Sequence, residues 1–232
     1  MKNLLVIIPA RAGSKGLPNK NILKLNDKPL INYTIEAAKE VFDINQIVVS
    51  TDCIKIKSEA EKLGLNIYKL RPKSLAEDDV SSYDVIEHEL NEYSNKVNEP
   101  DVVILLQPTS PLRTSKNIRE ALKLYNSSID MVVSVKKSHS NPYFNLFEEN
   151  DKGFLNKSKI SNITRRQDCP DVWEFNGAIY IINVKSLRKT KSMNFERIVK
   201  YEMNEHNSID IDNKLDFIMC KILIDENNKN YT

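Results

Sequence analysis

DVVILLQPTSPLR, residues 101–113, sets the frame for the chain. Apolar residues run unbroken from Val102 to Leu106, and Pro108 closes the run. A half-exposed strand alternates apolar and polar residues, so an unbroken run bounded by proline reads as a strand buried on both faces. The same signature recurs in LLVIIP (4–9), QIVVS (46–50) and MVVSV (131–135). Between these runs, apolar residues return at helical spacing: Ile31, Ile35, Ala38 and Phe42; Ile56, Ala60 and Leu63; Ile118, Ala121, Leu122 and Tyr125. Buried strands alternating with amphipathic helices predict an α/β fold, a Rossmann-like, doubly wound and mainly parallel sheet.

The pattern loosens over about 138–169, where Asn, Lys and Ser dominate. NPYFNLFEENDKGFL (141–155) reads as a hairpin turning at Asp151, Lys152 and Gly153. Regular structure returns with NGAIYIINV (176–184), RIVKYEM (197–203) and SIDIDN (208–213), then a closing helix carrying Leu215, Ile218, Met219 and Ile222. With no repeat and no linker, residues 1–232 are expected to form one domain, and 138–169 a lobe inserted in it.

The net charge of +2 and a pI near 8.3 stay below the value of about 9 that marks a nucleic-acid binder, so the cations act locally. No stretch approaches the roughly 20 apolar residues that span a bilayer, and the first apolar run is too short for a secretory signal. Cys53, Cys169 and Cys220 are odd in number and far apart, which disfavours a disulfide framework and fits a reduced, cytoplasmic protein. His88, His139 and His206 are scattered, so no zinc site is expected.

In such sheets ligands sit beyond the carboxyl ends of the strands. Four polar clusters fall there: residues 10–21, STD (50–52), QPTSPLR (107–113) and DIDN (210–213). The first, ARAGSKGLPNKN, matches neither GxxxxGK[ST] nor GxGxxG. It combines backbone N–H groups near Gly13 and Ser14 with Arg11, Lys15 and Lys20, the composition of a polyphosphate cradle. In SIDID, Asp210 and Asp212 are two apart and share a face, which is costly unless a cation lies between them. Mg2+ takes one or two carboxylates plus phosphate oxygens. Asp212 also stands where a helix N-cap belongs.

These segments resemble the acylneuraminate cytidylyltransferases. The resemblance runs through IPARAGSKGLPNKN, STD, RPKSLAEDDVSS, LLQPTSPLR, RRQDCP, NGAIYI and SIDID, in that order. It implies that CTP and a nine-carbon 2-keto sugar acid yield the CMP-sugar and pyrophosphate, with Mg2+, in a homodimer. By position, it implies that Arg11, Ser14, Lys15 and Lys20 grip the triphosphate, Asn21 meets the ribose, and Arg71 and Ser82 read the cytosine. Gln107, Thr109 and Ser110 would hold the sugar acid, with Arg166, Gln167 and Tyr180 on the far side of its pocket. Asp210 and Asp212 would bind the metal, and Arg11, Lys20 and Asp210 would carry catalysis. Phe195 is expected at a contact between subunits.

Two positions depart from the well-known sialic acid enzymes: Phe144 replaces a lysine, and Glu174 replaces a frequent arginine. Both changes fall around the sugar, so sialic, legionaminic and pseudaminic types of acid all stay open. The nearest rival is a CMP-Kdo synthetase, but those enzymes usually carry an acidic residue where this chain has Gln107. The other is a non-catalytic nucleotide-binding module, which would not need both Asp210 and Asp212.

Overall fold

The computed structural model describes residues 3–14 and 16–229. The apolar run that begins it, β1 (Leu4–Pro9), lies inside the sheet because both of its faces need cover. Leu4, Val6 and Ile8 enter one core layer; Leu5 and Ile7 enter the other. A small two-strand element, β2 (Lys24–Leu25) with β3 (Lys28–Pro29), leads into α1 (Leu30–Lys39). Then follow β4 (Ile47–Ser50), α2 (Ile54–Lys62), α3 (Ser82–Ser94), β5 (Val102–Leu105) and α4 (Ser115–Leu124). The second half holds β6 (Met131–Lys137), β7 (Phe147–Glu149), β8 (Leu155–Lys157), β9 (Trp173–Asn183), α5 (Val184–Thr190), β10 (Ile198–Glu202) and α6 (Lys214–Lys229).

The main sheet has the order β10-β6-β9-β5-β1-β4. β1 pairs in parallel with β4 and β5, and β10 pairs in parallel with β6. β9 alone runs antiparallel, against both β5 and β6. Helices α1, α2 and α4 cover one face through Ile31, Ile35, Ile56, Ala60, Ile118 and Ala121. Helices α3 and α5 cover the other through Ile86, Leu90, Val184 and Leu187. The doubly wound, mainly parallel sheet expected from the apolar runs is present.

Because β9 is reversed, its N-terminal half reaches the edge where the parallel strands end. There its pairing with β6 jumps from Val133↔Tyr180 to Val135↔Phe175, a bulge that displaces Asn176 and Gly177 from the ladder. Such bulges re-aim side chains next to active sites. The displaced backbone is satisfied internally: the Ser134 hydroxyl donates to Asn176 Oδ1 at 2.6 Å, and Ile179 N–H donates back to Ser134 Oγ at 2.7 Å. Asn176 Nδ2 then donates to Ser208 Oγ at 2.9 Å, tying the bulge to the segment that leads into Asp210.

The 138–169 region forms the expected hairpin from β7 and β8, with Gly153 at φ 79° in its turn. Phe147, Phe154 and Leu155 on it are exposed. Phe195 corrects an expectation. It is packed into the core layer beside Leu187 and Val184, with 9% of its surface exposed, because the turn after α5 folds it under the sheet. Among the described residues, no helix is long and apolar enough to cross a membrane.

Candidate active site

The loop after β1 is fixed at several points, each dictated by a specific polar group. Ala10 N–H donates to Ser50 O at 2.9 Å, joining the ends of β1 and β4. Ala12 N–H donates to Asp52 Oδ1 at 2.9 Å, so the STD cluster braces the loop. Asn21 Nδ2 donates to Arg11 O at 3.0 Å and closes the loop's far end. Gly16 sits against the 212 backbone: a Cβ there would lie 2.1 Å from Asp212 O, so no larger residue fits without moving the loop. Gly13 has open space around it. Lys15 lies outside the described residues.

The two remaining loop cations already lean on carboxylates. Arg11 Nη2 lies 2.7 Å from Asp78 Oδ1, and its Nη1 donates to Ala76 O at 3.2 Å. Lys20 Nζ donates to Ile211 O at 2.6 Å and lies 3.3 Å from Asp212 Oδ1. Anionic groups therefore occupy the positions where a phosphate chain would find its counter-charges.

A cleft of about 350 Å³ opens over these groups. It brings together Arg11, Ser14, Lys20, Asn21, Arg71, Ser82, Gln107, Thr109, Asp210 and Asp212. Arg71 is buried; its N–H donates to Thr51 O at 2.7 Å, and its guanidinium faces Ser50 Oγ, which itself donates to Glu89. Burial lowers the Arg71 pKa, and Asp52 and Glu89 oppose that shift. Ser82 opens α3, but the cap is its neighbour Ser81, whose Oγ accepts from Asp84 N–H at 3.2 Å. Behind Arg71, a separate crevice of about 320 Å³ lies between β4 and α3, lined by Tyr68, His88 and Tyr93; it shares only Arg71 with the main cleft.

Asp210 and Asp212 differ sharply. Burial pushes the Asp210 carboxyl up from the ordinary carboxylate range, a hydrogen bond from Thr109 opposes this, and Asp212 adds to the rise. One oxygen, Asp210 Oδ1, is buried without a hydrogen-bond partner among the described residues. The Asp212 side chain is 77% exposed. The cap reading of Asp212 does not hold. Asn213 Oδ1 accepts from Leu215 N–H at 2.7 Å, and Asp216 Oδ2 accepts from Asp212 and Asn213 N–H at 2.9 Å each, so Asn213 and Asp216 cap α6.

Beyond this pair a larger cleft of about 860 Å³ runs along α6, lined by Glu174, Phe175, His206, Met219 and Ile222 as well as both aspartates. Lys136 Nζ lies 3.2 Å from a Glu174 oxygen there. Arg166 and Gln167 line a fourth depression, which meets the larger cleft at His139 and Glu205. Phe144 is half-buried in the lobe and lines none of these four spaces. Ser110 is fully buried beneath the Gln107 turn. Tyr180 packs on the core with its ring edge-to-face against Phe175, 6.4 Å between centroids; burial and then Asp210 raise its pKa.

Gly177 is the residue whose role the spacing does not reveal. At φ 74° it lies where a Cβ would come 2.9 Å from Gln107 Oε1 and 3.1 Å from Asp210 Oδ2. Asp52 and Asn176 also act here, bracing the loop and the bulge. The visible signals were the acidic end of STD and the Asn-Gly pair that opens NGAIYIINV.

Among the described residues, no three His, Cys, Asp or Glu side chains gather as a protein-only metal cage. Asp210 and Asp212 nonetheless fit Mg2+, which needs one or two carboxylates when phosphate oxygens complete its shell. The orphaned, buried Asp210 oxygen is the group such an ion would satisfy.

The chain matches the sequence model of the cytidylyltransferase family over residues 5–207. It is 38% identical over 219 residues to an N-acylneuraminate cytidylyltransferase of Streptococcus agalactiae, covering 92% of this chain and 51% of that protein. It is 34% identical over 229 residues to a CMP-N,N'-diacetyllegionaminic acid synthase of Legionella pneumophila, covering 97% of both. The chain thus spans about half the length of the first relative and nearly all of the second. Its fold is similar to that of a CMP:2-keto-3-deoxy-manno-octonic acid synthetase solved in complex with CTP. The TM-score is 0.70 at 18% identity, over 97% of this chain and 99% of that one. With a match of this extent, and with the loop after β1, the Gln107 turn and the aspartate pair meeting in one cleft, the chain belongs to the cytidylyltransferase family.

Proposed function

We propose that this protein transfers CMP from CTP to the anomeric hydroxyl of a nine-carbon 2-keto sugar acid, releasing pyrophosphate. The observation that carries the reading is the meeting of Arg11 and Lys20 with the orphaned Asp210 oxygen in one cleft at the strand ends. The names of the relative that the chain spans almost fully and of the one it spans by half point to the same chemistry.

In this reading Arg11 and Lys20 exchange Asp78 and Asp212 for the triphosphate, joined by Ser14 and, from its place in the loop, Lys15. Asn21 faces the ribose, and Arg71 and Ser82 face the cytosine. Gln107 and Thr109 orient the acid, with Ser110 and Tyr180 behind them. The sugar hydroxyl attacks the α-phosphorus in line, the bond to pyrophosphate breaks, and Arg11 and Lys20 stabilise the departing charge. Asp210 and Asp212 would hold Mg2+, which supplies charge neutralisation at the α-phosphate and acidifies the attacking hydroxyl. Positioning and electrostatics therefore carry the rate.

With a competent acid and Mg2+, CTP is expected to release pyrophosphate far faster than UTP, ATP or GTP. A panel of neuraminic, legionaminic and pseudaminic acids, read out by product mass, identifies the acceptor. Arg71→Ala should slow turnover and relax the nucleotide preference. Equal rates with UTP in the unaltered protein would overturn the cytosine assignment.

We also infer a cytoplasmic enzyme in which residues 1–232 fold as one nucleotidyltransferase domain and pair as a homodimer through the 138–169 lobe. The support for a dimer is apolar: Phe147, Phe154 and Leu155 on the hairpin and Leu215, Met219 and Ile222 on α6 are all exposed in one chain. Aromatic and aliphatic patches of this kind tend to be covered by a partner. Phe144, Arg166 and Gln167 would then reach the acceptor from the second subunit and, with Glu174, tune its choice. Sedimentation at assay concentration should return twice the chain mass; a fully active species of single-chain mass refutes the assembly. Three free cysteines suit a reducing compartment, and recovery of the native protein outside the cytosolic fraction would count against that placement.

A further inference from the structure

Arg113 is the largest fully buried side chain described, with 2% of its surface exposed. Among the described residues no acidic side chain compensates it; burial is the influence on its pKa, pushing it down to about 9. Nη1 donates to two backbone carbonyls, Gln107 O at 3.1 Å and Ala178 O at 3.0 Å. Nε and Nη2 have no partner among the described residues. A guanidinium this deep and this poorly satisfied is costly, and an apolar side chain of similar volume would fill the space without that cost. Stability therefore gives no account of it.

Its two contacts do. The ladder between β5 and β9 ends at Leu105↔Tyr180. Beyond that pair the strands lead to Gln107 on one side and to the bulge at Gly177 on the other, and Arg113 Nη1 joins their carbonyls in place of the missing ladder bonds. Gln107 Oε1 and Asp210 Oδ2 both rest against the bare face of Gly177. The spacing between the Gln107 turn and residue 178 thus sets where the amide and the carboxylate stand.

We propose that Arg113 is a positioning residue for the transfer step, clamping the Gln107 turn to the Gly177 bulge so that Gln107 and Asp210 keep their mutual placement. It does so without touching CTP, since it lines none of the cleft. The proposal rests on the functional reading above and adds a residue to it.

The test compares Arg113→Met and Arg113→Lys with the unaltered protein. Three quantities are read: the thermal midpoint, CTP affinity by calorimetry with Mg2+, and kcat per CTP-binding molecule. For Arg113→Met the midpoint should stay level or rise and CTP affinity should change less than about twofold, while kcat falls about tenfold or more. Arg113→Lys, which keeps donors for the carbonyls, should recover part of that loss. If the methionine variant does not fold, the lysine variant decides: kcat below the unaltered protein with CTP affinity kept supports the clamp, and unchanged kcat refutes it. Unchanged kcat in Arg113→Met, a fall of CTP affinity in step with kcat, or a lysine variant no better than a folded methionine variant would each overturn it. Absence of turnover in the unaltered protein would instead strike the functional reading itself.

Discussion

Asp210→Asn is expected to lower turnover with CTP about 10²–10³-fold while the protein stays folded. Asparagine matches the carboxylate in shape and can still accept from Thr109, whose hydrogen bond opposes the rise in the Asp210 pKa. What it removes is the charge, and that charge is the costly part of the site: burial works against it, and one oxygen finds no partner among the described residues. A neutral amide relieves that cost, so the thermal midpoint should hold or rise as activity is lost. This opposite movement is the mark of a residue kept for function. Asp212→Asn should impair turnover less, because its side chain is mostly exposed and pairs with Lys20. It should leave α6 intact, because Asn213 and Asp216 supply the cap. Near-normal turnover of Asp210→Asn at saturating Mg2+ would remove Asp210 from the metal site. A thermal midpoint that drops with the activity would make its role structural.

The frame of this fold was legible because its strands are buried on both faces. A run such as Val102–Leu106 admits few other readings, and each of the four strands read as apolar runs lies in the sheet. Helix α3 is not legible from periodicity, although Ser81 and Asp84 spell a capping box and Val85, Ile86 and Leu90 mark its buried face. Its apolar stripe is short and interrupted by Glu87, His88 and Glu89, so periodicity alone is weak there. The loop after β1, Gln107 and Asp210 could be found as polar residues clustered at strand ends, while Arg71 is reached only through the family resemblance; all of them line one cleft. The Asn-Gly pair at 176–177 is visible as a turn signal, but what Gly177 meets, the clamp by Arg113 and the Ser134–Asn176–Ser208 chain are not. Their work is to hold other groups apart or together across strands that are distant in sequence, and nothing local in the chain encodes that distance. Phe195 failed for the converse reason: whether an aromatic meets its own core or a partner depends on which way a loop turns.

The same cross-strand geometry makes Gly177→Ala a severe change for so small a group, with an expected fall in kcat of about 100-fold. Two costs arise together. At φ 74° a side chain is strained by about 1–2 kcal/mol wherever it is placed. Its Cβ would also stand 2.9 Å from Gln107 Oε1 and 3.1 Å from Asp210 Oδ2, inside contact distance of both. The buried network from Ser134 through Asn176 to Ser208 holds the backbone on either side, so the bulge cannot simply step back. The side chains must yield, and they are the groups proposed to face the acceptor and the metal. Arg11, Lys20 and Arg71 are not among the atoms that meet the new Cβ, so CTP affinity should be nearly kept. Gly64→Ala separates the two costs. Gly64 has a similar φ of 88°, but a Cβ there meets only Ile44 Cδ1 at 3.3 Å, and it lines none of the main cleft. Both variants should lower the thermal midpoint, by roughly 2–4 °C per kcal/mol for a chain of this size. Only Gly177→Ala should lose turnover per folded molecule. If the two variants keep the same specific activity, Gly177 is a turn glycine and no more, and the placement of Gln107 against Asp210 does not limit the reaction.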